Sequence, residues 1–140
     1  MKLQILLTFL CISFLSFSQT KELESITYNA RTIGGASASV KVHMTPTKTT
    51  FEKNGISETF ETDPVLWKKI NRDIKKIKLS DIPNLKSPTN RRVYGGALTA
   101  TLSVDEGDLE YISSQFDDGN PPALIKQIVN DMMVIVKKRL

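Results

Sequence analysis

Residues 49–62 open as Thr49-Thr50-Phe51-Glu52-Lys53-Asn54-Gly55-Ile56 and run on to Thr62, and their reading decides the fold. Asn-Gly between two alternating runs is the strongest short-range sign of a β-hairpin, because the tight turn needs positive φ at both central positions. A two-residue loop at Asn54-Gly55 pairs Lys53 with Ile56, Phe51 with Glu58 and Thr49 with Phe60. Phe51, Ile56 and Phe60 then share one face, so the register agrees with the hydrophobic pattern.

Working outward towards the N-terminus, Ala36, Ala38, Val40, Val42 and Met44 alternate with Ser37, Ser39, Lys41, His43 and Thr45 before a Pro46 turn. That alternation predicts an antiparallel strand with one face buried. A further strand lies within 21–32, where Ile26, Tyr28 and Ala30 alternate, and Gly34-Gly35 ends it.

Towards the C-terminus, Asp63 stands as an N-cap with Pro64 at the first helical position, where a missing N–H is harmless. Leu66, Trp67, Ile70, Ile74 and Ile77 form the apolar stripe of this helix, which should end near Lys78, with Lys68, Arg72, Lys75 and Lys76 opposite. Residues 80–96 read as a long irregular connection, a place where function often sits. Leu98, Ala100, Leu102 and Val104 alternate again, and a turn around Glu106-Gly107 returns the chain with Val104 opposite Leu109 and Leu102 opposite Tyr111. Asn120 and Pro121 start a closing helix with Leu124, Ile125, Ile128, Val129, Met132, Ile135 and Val136 on its apolar arc, and its basic end at Lys137-Lys138-Arg139 suits the helix dipole.

The order β-β-β-β-α-β-β-α, with alternating rather than continuous apolar patterns, predicts an α+β domain: a single antiparallel sheet with two helices packed on one face. A small closed barrel is the weaker alternative.

The first residues carry a different signal. Met1-Lys2 precedes an apolar run from Leu3 to Phe17 that closes on Ser16-Phe17-Ser18, which reads as a cleaved secretory signal peptide over 1–18. The run is interrupted by Gln4, Thr8 and Ser13 and is too short for a spanning helix. Residues 19–140 are then one α+β domain, exported to the periplasm or the extracellular medium. Cys11, the only cysteine, lies inside the apolar run behind the bulky Leu10, which speaks against lipidation. The expected mature chain therefore lacks disulfides, thiol nucleophiles and thiolate metal sites. Without Lys2 it carries 18 basic residues against 15 acidic ones, an excess too mild to argue for nucleic acid.

Several motifs, Ser25-Ile26-Thr27-Tyr28, Ile82-Pro83-Asn84-Leu85, Pro88-Thr89-Asn90-Arg91-Arg92 with Gly95-Gly96-Ala97, and Phe116-Asp117-Asp118-Gly119-Asn120-Pro121-Pro122, resemble a family of small exported bacterial proteins of unknown function. The resemblance covers nearly all of 19–140. It implies export and the same layout of meander, Trp-bearing helix, hairpin and C-terminal helix, and it implies no activity.

Asp117-Asp118-Gly119-Asn120 is the sharpest polar cluster, readable as a cation or acid–base site and more simply as a turn with Gly119 at positive φ and Asn120 capping the helix. Arg91-Arg92-Val93-Tyr94-Gly95-Gly96 reads as an anion clamp or, more simply, as a turn with surface arginines. Arg91 or Arg92 is expected to reach Asp117 or Asp118, forming one polar patch of Arg91, Arg92, Tyr94, Asp117, Asp118 and Asn120. His43, the only histidine, falls on the polar strand face, which leaves a zinc site or a Ser-His-Asp triad without partners. Trp67 lies on the core stripe of its helix. The basic face Lys68, Lys69, Arg72, Lys75, Lys76 and Lys78 reads first as a solvated surface and second as a site for anionic lipid, polysaccharide or an acidic partner.

These readings point to a non-catalytic exported protein that binds a protein or cell-envelope partner through its loop ends or exposed sheet face. A periplasmic inhibitor or immunity-type protein fits the same description. The alternative is a small envelope hydrolase or lyase using Asp117 and Asp118 with Arg91 or Arg92. No cofactor, no metal, no nucleic acid and no transmembrane segment after signal cleavage are expected, and no feature sets the oligomeric state.

Overall fold

A computed structural model describes residues 21–34 and 38–139. The expected signal peptide, Cys11 and residues 36 and 37 of the expected second strand lie outside them. The strands are β1 (Leu23–Arg31), β2 (Ser39–Met44), β3 (Lys48–Lys53), β4 (Ile56–Glu61), β5 (Thr99–Glu106), β6 (Leu109–Ile112) and β7 (Phe116–Asp117). The α-helices are α1 (Pro64–Ile74) and α2 (Lys126–Arg139), and short 3-10 helices span Leu79–Asn84, Arg91–Tyr94 and Ala123–Ile125.

All strand pairs are antiparallel, in the order β4-β3-β2-β1-β5-β6, with β7 paired to β5. Strand β1, the first among the described residues, is thus interior to the sheet. Alternation decides which side is buried: Ile26, Tyr28, Val42, Met44, Leu102 and Val104 are fully out of water on the inner face. Both helices pack there, as Ile70, Ile74, Ile128 and Met132 join the same core. Each fully buried side chain of this size contributes about 1.5–3 kcal/mol. The opposite face, with Thr27, Asn29, Lys41, His43, Thr50 and Ser103, stays polar and at least partly exposed. His43 is held on it by Thr27, whose Oγ1 lies 2.8 Å from Nδ1. A bulge between Leu23 and Ser25 resets the alternation in β1, which lets Leu23 return to the core.

The β3–β4 hairpin has the expected register, and Asn54 and Gly55 take φ of 51° and 85° as a type I′ turn requires. Ile56 shares the face of Phe51, yet it stands beside the turn and remains 79% exposed. Asp63 caps α1 by accepting from the amides of Val65 at 2.9 Å and Leu66 at 3.4 Å.

Three expectations need correction. The β5–β6 hairpin pairs Glu106 with Leu109 and Val104 with Tyr111, two residues away from the expected register. The turn is the two-residue Gly107-Asp108, with Gly107 at φ 60°, and an offset of two keeps every side chain on its face. Helix α1 stops at Ile74 rather than near Lys78, and the amides of Lys76 and Ile77 bond to Asp73 and Ile74 in tighter turns. Unwinding there buries Leu79 and Ile82, whereas a continued α-helix would carry Leu79 to the solvent side. Finally, Asn120 does not cap α2. Pro122 bars Pro121 from the helical region, so the chain stays extended through the two prolines and turns helical only from Ala123, which leaves Leu124 45% exposed.

Candidate functional site

The loop from Leu85 to Ala97 and strand β7 meet at one end of the sheet. Pairing of Thr99 with Asp117 and Ala100 with Phe116 fixes β7 against β5. Leu85 packs on the core, and its carbonyl accepts from the Ser114 hydroxyl. The loop is therefore anchored from below before any charge is considered.

Asp117 is only 1% exposed, and its carboxylate is the hub of the site. Oδ2 accepts from Thr89 Oγ1 at 2.5 Å and the Arg91 amide at 2.7 Å, while Oδ1 accepts from the Arg92 amide and Arg92 Nη1, each at 3.0 Å. Two donors on each oxygen occupy all its acceptor directions. Burial on its own pushes the Asp117 carboxyl up, but the Thr89 hydroxyl, the Arg92 amide and guanidinium and the Arg91 amide outweigh it and hold the group well below the usual carboxylate range. Arg92 Nη1 also donates to Ser87 Oγ at 3.1 Å and the Thr89 carbonyl at 2.9 Å. Asn120 Nδ2 completes the knot by donating to Thr89 Oγ1 at 3.0 Å.

The expected arginine–aspartate contact is thus present between Arg92 and Asp117, and Asn120 joins them through Thr89. Asp118 turns elsewhere, accepting the hydroxyl of the core residue Tyr28. Burial, that bond and the charge of Asp118 push the Tyr28 phenol well above its ordinary value. Gly119 has φ 85°, as a turn reading requires. Arg91 and Tyr94 point outward: their loop closes at Gly95, φ 73°, and Tyr94 is 88% exposed beside Val93 at 67%. Gly96 packs closely under Arg91, where a Cβ would lie 3.3 Å from the Arg91 carbonyl oxygen.

Thr89, Ser87 and Tyr28 escaped the sequence reading. A tyrosine on a core strand face signals a buried hydroxyl in need of an acceptor, so Tyr28 had a cue. Thr89 and Ser87 had none, because hydroxyls in an irregular loop have no periodicity.

Chemically, Asp117 is a saturated, strongly acidic carboxylate and supplies neither a general acid nor a free base near neutral pH. Among the described residues no three His, Cys, Asp or Glu side chains converge as metal ligands, and no helix is long and apolar enough to cross a membrane. Fold and site define an α+β protein with a single antiparallel sheet, two helices on one face and a buried ion pair beneath an exposed loop tip. No protein-family model matches the chain, and no curated protein matches it.

Proposed function

We propose that this is a non-catalytic binding protein, exported to the periplasm or the medium, whose recognition surface is the loop tip of Arg91, Val93 and Tyr94. The observation that supports the reading is the contrast within four residues: Arg92 is locked on buried Asp117, while Val93 and Tyr94 are held out in water at 67% and 88% exposure. Arg and Tyr are the side chains that most often dominate protein interfaces. A tip fixed by its own base loses little conformational entropy on binding, so its contacts go into affinity. The hydrolase or lyase alternative would need a carboxyl poised for proton transfer, and Asp117 is held in the opposite direction.

The test is capture by tagged protein of residues 19–140 from an envelope extract, compared with Arg91→Ala/Tyr94→Ala and with Lys41→Glu on the open sheet face. A single stoichiometric partner lost only with the loop variant is the expected result, and a partner that is itself an enzyme inhibited on binding defines an inhibitor- or immunity-type protein. No partner for a folded bait, or equal loss with Lys41→Glu, overturns the reading.

A further inference from the structure

The charge of the chain is segregated by layer. Residues 63–78 and 126–139, which carry the two helices, hold ten lysines and arginines against three aspartates, a net +7. The rest of 19–140 holds eight basic against twelve acidic residues, a net −4. The three aspartates of the helical layer are already engaged: Asp63 caps α1, Asp73 meets Lys76 at 2.9 Å and Arg72 at 3.4 Å, and Asp131 meets Lys69 at 2.7 Å. Lys68, Lys75, Lys126, Lys137 and Lys138 are exposed and have no carboxylate within salt-bridge distance among the described residues.

The helices run antiparallel, because Lys69 meets Asp131 while Asp63 and Leu66 line a cavity with Val134 and Lys138. Their inner stripes face the sheet, so Lys68 and Arg72 of α1, Lys75 at its C-cap, and Lys126, Val134 and Lys137 of α2 share the outer side. Along α1 and the turn after it, a shallow groove of about 410 Å³ is lined by Lys68, Asn71, Arg72, Lys75 and Lys76, of which Arg72 and Lys76 share Asp73 while Lys68 and Lys75 remain for a phosphate group. At the end where α1 begins and α2 finishes, Val65 is 75% and Val134 42% exposed among these cations.

We infer that the outer face of the α1–α2 layer docks on an anionic phospholipid surface. Phosphate groups meet the unpaired lysines, while Val65 and Val134 enter the headgroup boundary. A soluble polyanion would satisfy the lysines and give the valines nothing, which is why a bilayer is favoured. Docking is superficial, since the apolar stripes of both helices are committed to the core. The polar open face of the sheet then points away from the membrane. This surface is separate from the loop tip and holds whether or not the loop binds a partner.

The test is co-sedimentation of residues 19–140 with vesicles of phosphatidylcholine alone or with phosphatidylglycerol, at low and high salt. Retention only by phosphatidylglycerol vesicles, lost at high salt, is expected. Lys68→Glu/Lys75→Glu/Lys137→Glu should weaken it by on the order of a hundredfold, while Lys41→Glu/Lys48→Glu/Lys53→Glu, with the same change of net charge on the sheet, stays within about threefold. Val65→Ser/Val134→Ser should weaken vesicle binding and leave binding to soluble polyphosphate unchanged. No retention of folded protein, equal loss in the two lysine triples, or a valine variant that binds vesicles like the parent overturns the proposal, the last outcome assigning the face to a soluble polyanion.

Discussion

Arg92 Nη1 lies 3.0 Å from Asp117 Oδ1, with the two side chains 15% and 2% exposed, so the charge pair is closed off from water while the backbone of the same arginine caps the same carboxylate. Removing either side strands the other.

Arg92→Ala leaves Asp117 with an unfilled acceptor direction and leaves Ser87 and the Thr89 carbonyl without their shared donor. A loss of Tm on the order of 10 °C is expected by calorimetry. Arg92→Lys should recover only part of it, because Ser87, Thr89 and Asp117 converge on the one nitrogen Nη1 and a lysine stem of different length and shape must bring its ammonium to that point. A Tm unchanged by Arg92→Ala would refute the account of the knot.

The lowered pKa of Asp117 fixes a direction with pH. A carboxyl whose folded pKa lies below its unfolded value of about 3.9 contributes stability that is complete above that value and is lost as pH falls towards the folded pKa. Urea midpoints should therefore hold steady down to about pH 5 and decline below it. Asp117→Asn should start lower and show a shallower acid decline; a decline as steep as the parent's would place the titrating group elsewhere.

Tyr28→Phe deletes the hydroxyl that Asp118 accepts and should cost about 1.5 kcal/mol in urea unfolding. Because the Tyr28 phenol is raised, it should ionise only as the protein unfolds in alkali. In absorbance titrations, Tyr28→Phe should leave the native-state amplitude alone and remove part of the amplitude that comes with unfolding.

Lys69 and Asp131 join the two helices at 2.7 Å, but Asp131 is buried, its Oδ2 has no partner, and the Lys69 side chain is 41% exposed. Lys69→Met should therefore destabilise by roughly 2 kcal/mol, because it leaves the buried carboxylate with only the Gln127 amide, which donates to Oδ1 at 3.0 Å. Lys69→Met/Asp131→Leu should return to within about 1 kcal/mol of the parent or exceed it, the pattern of a pair that desolvation nearly cancels. A double variant that stays as destabilised as Lys69→Met alone would show that the pair is a net stabiliser.

What could be read from sequence follows the range of the physics. Asn54-Gly55 and Asp63-Pro64 act over a few residues, and both appear where local chemistry puts them. Alternation placed Ile26, Tyr28, Val42, Leu102 and Val104 in the core, because face is a parity and survives an error of two, as the β5–β6 register illustrates. The Pro121-Pro122 pair was misjudged because each proline favours a helix start alone, while the second forbids it to the first. At the site, opposite charges flanking one hairpin predict that Arg91 or Arg92 meets Asp117 or Asp118, and the pair that forms is Arg92 with Asp117. The hydroxyls of Thr89 and Ser87 became relevant only through tertiary closure, and so did the division of the loop into a locked Arg92 and an outward Arg91 and Tyr94.

The place of β1 between β2 and β5 has a temporal meaning. Ile26 pairs with Met44 on one side and with Val104 on the other, so one flank of the central strand closes early and the second waits for a segment near the far end of the polypeptide. Such distant closure slows folding. While the chain emerges from N- to C-terminus, the meander of β1 to β4 has no second neighbour for Tyr28 and no α2 to cover it. In a chain of this order the central strand gains its second neighbour only when the last third arrives, so β1 to β4 stand as an open-edged meander for most of synthesis.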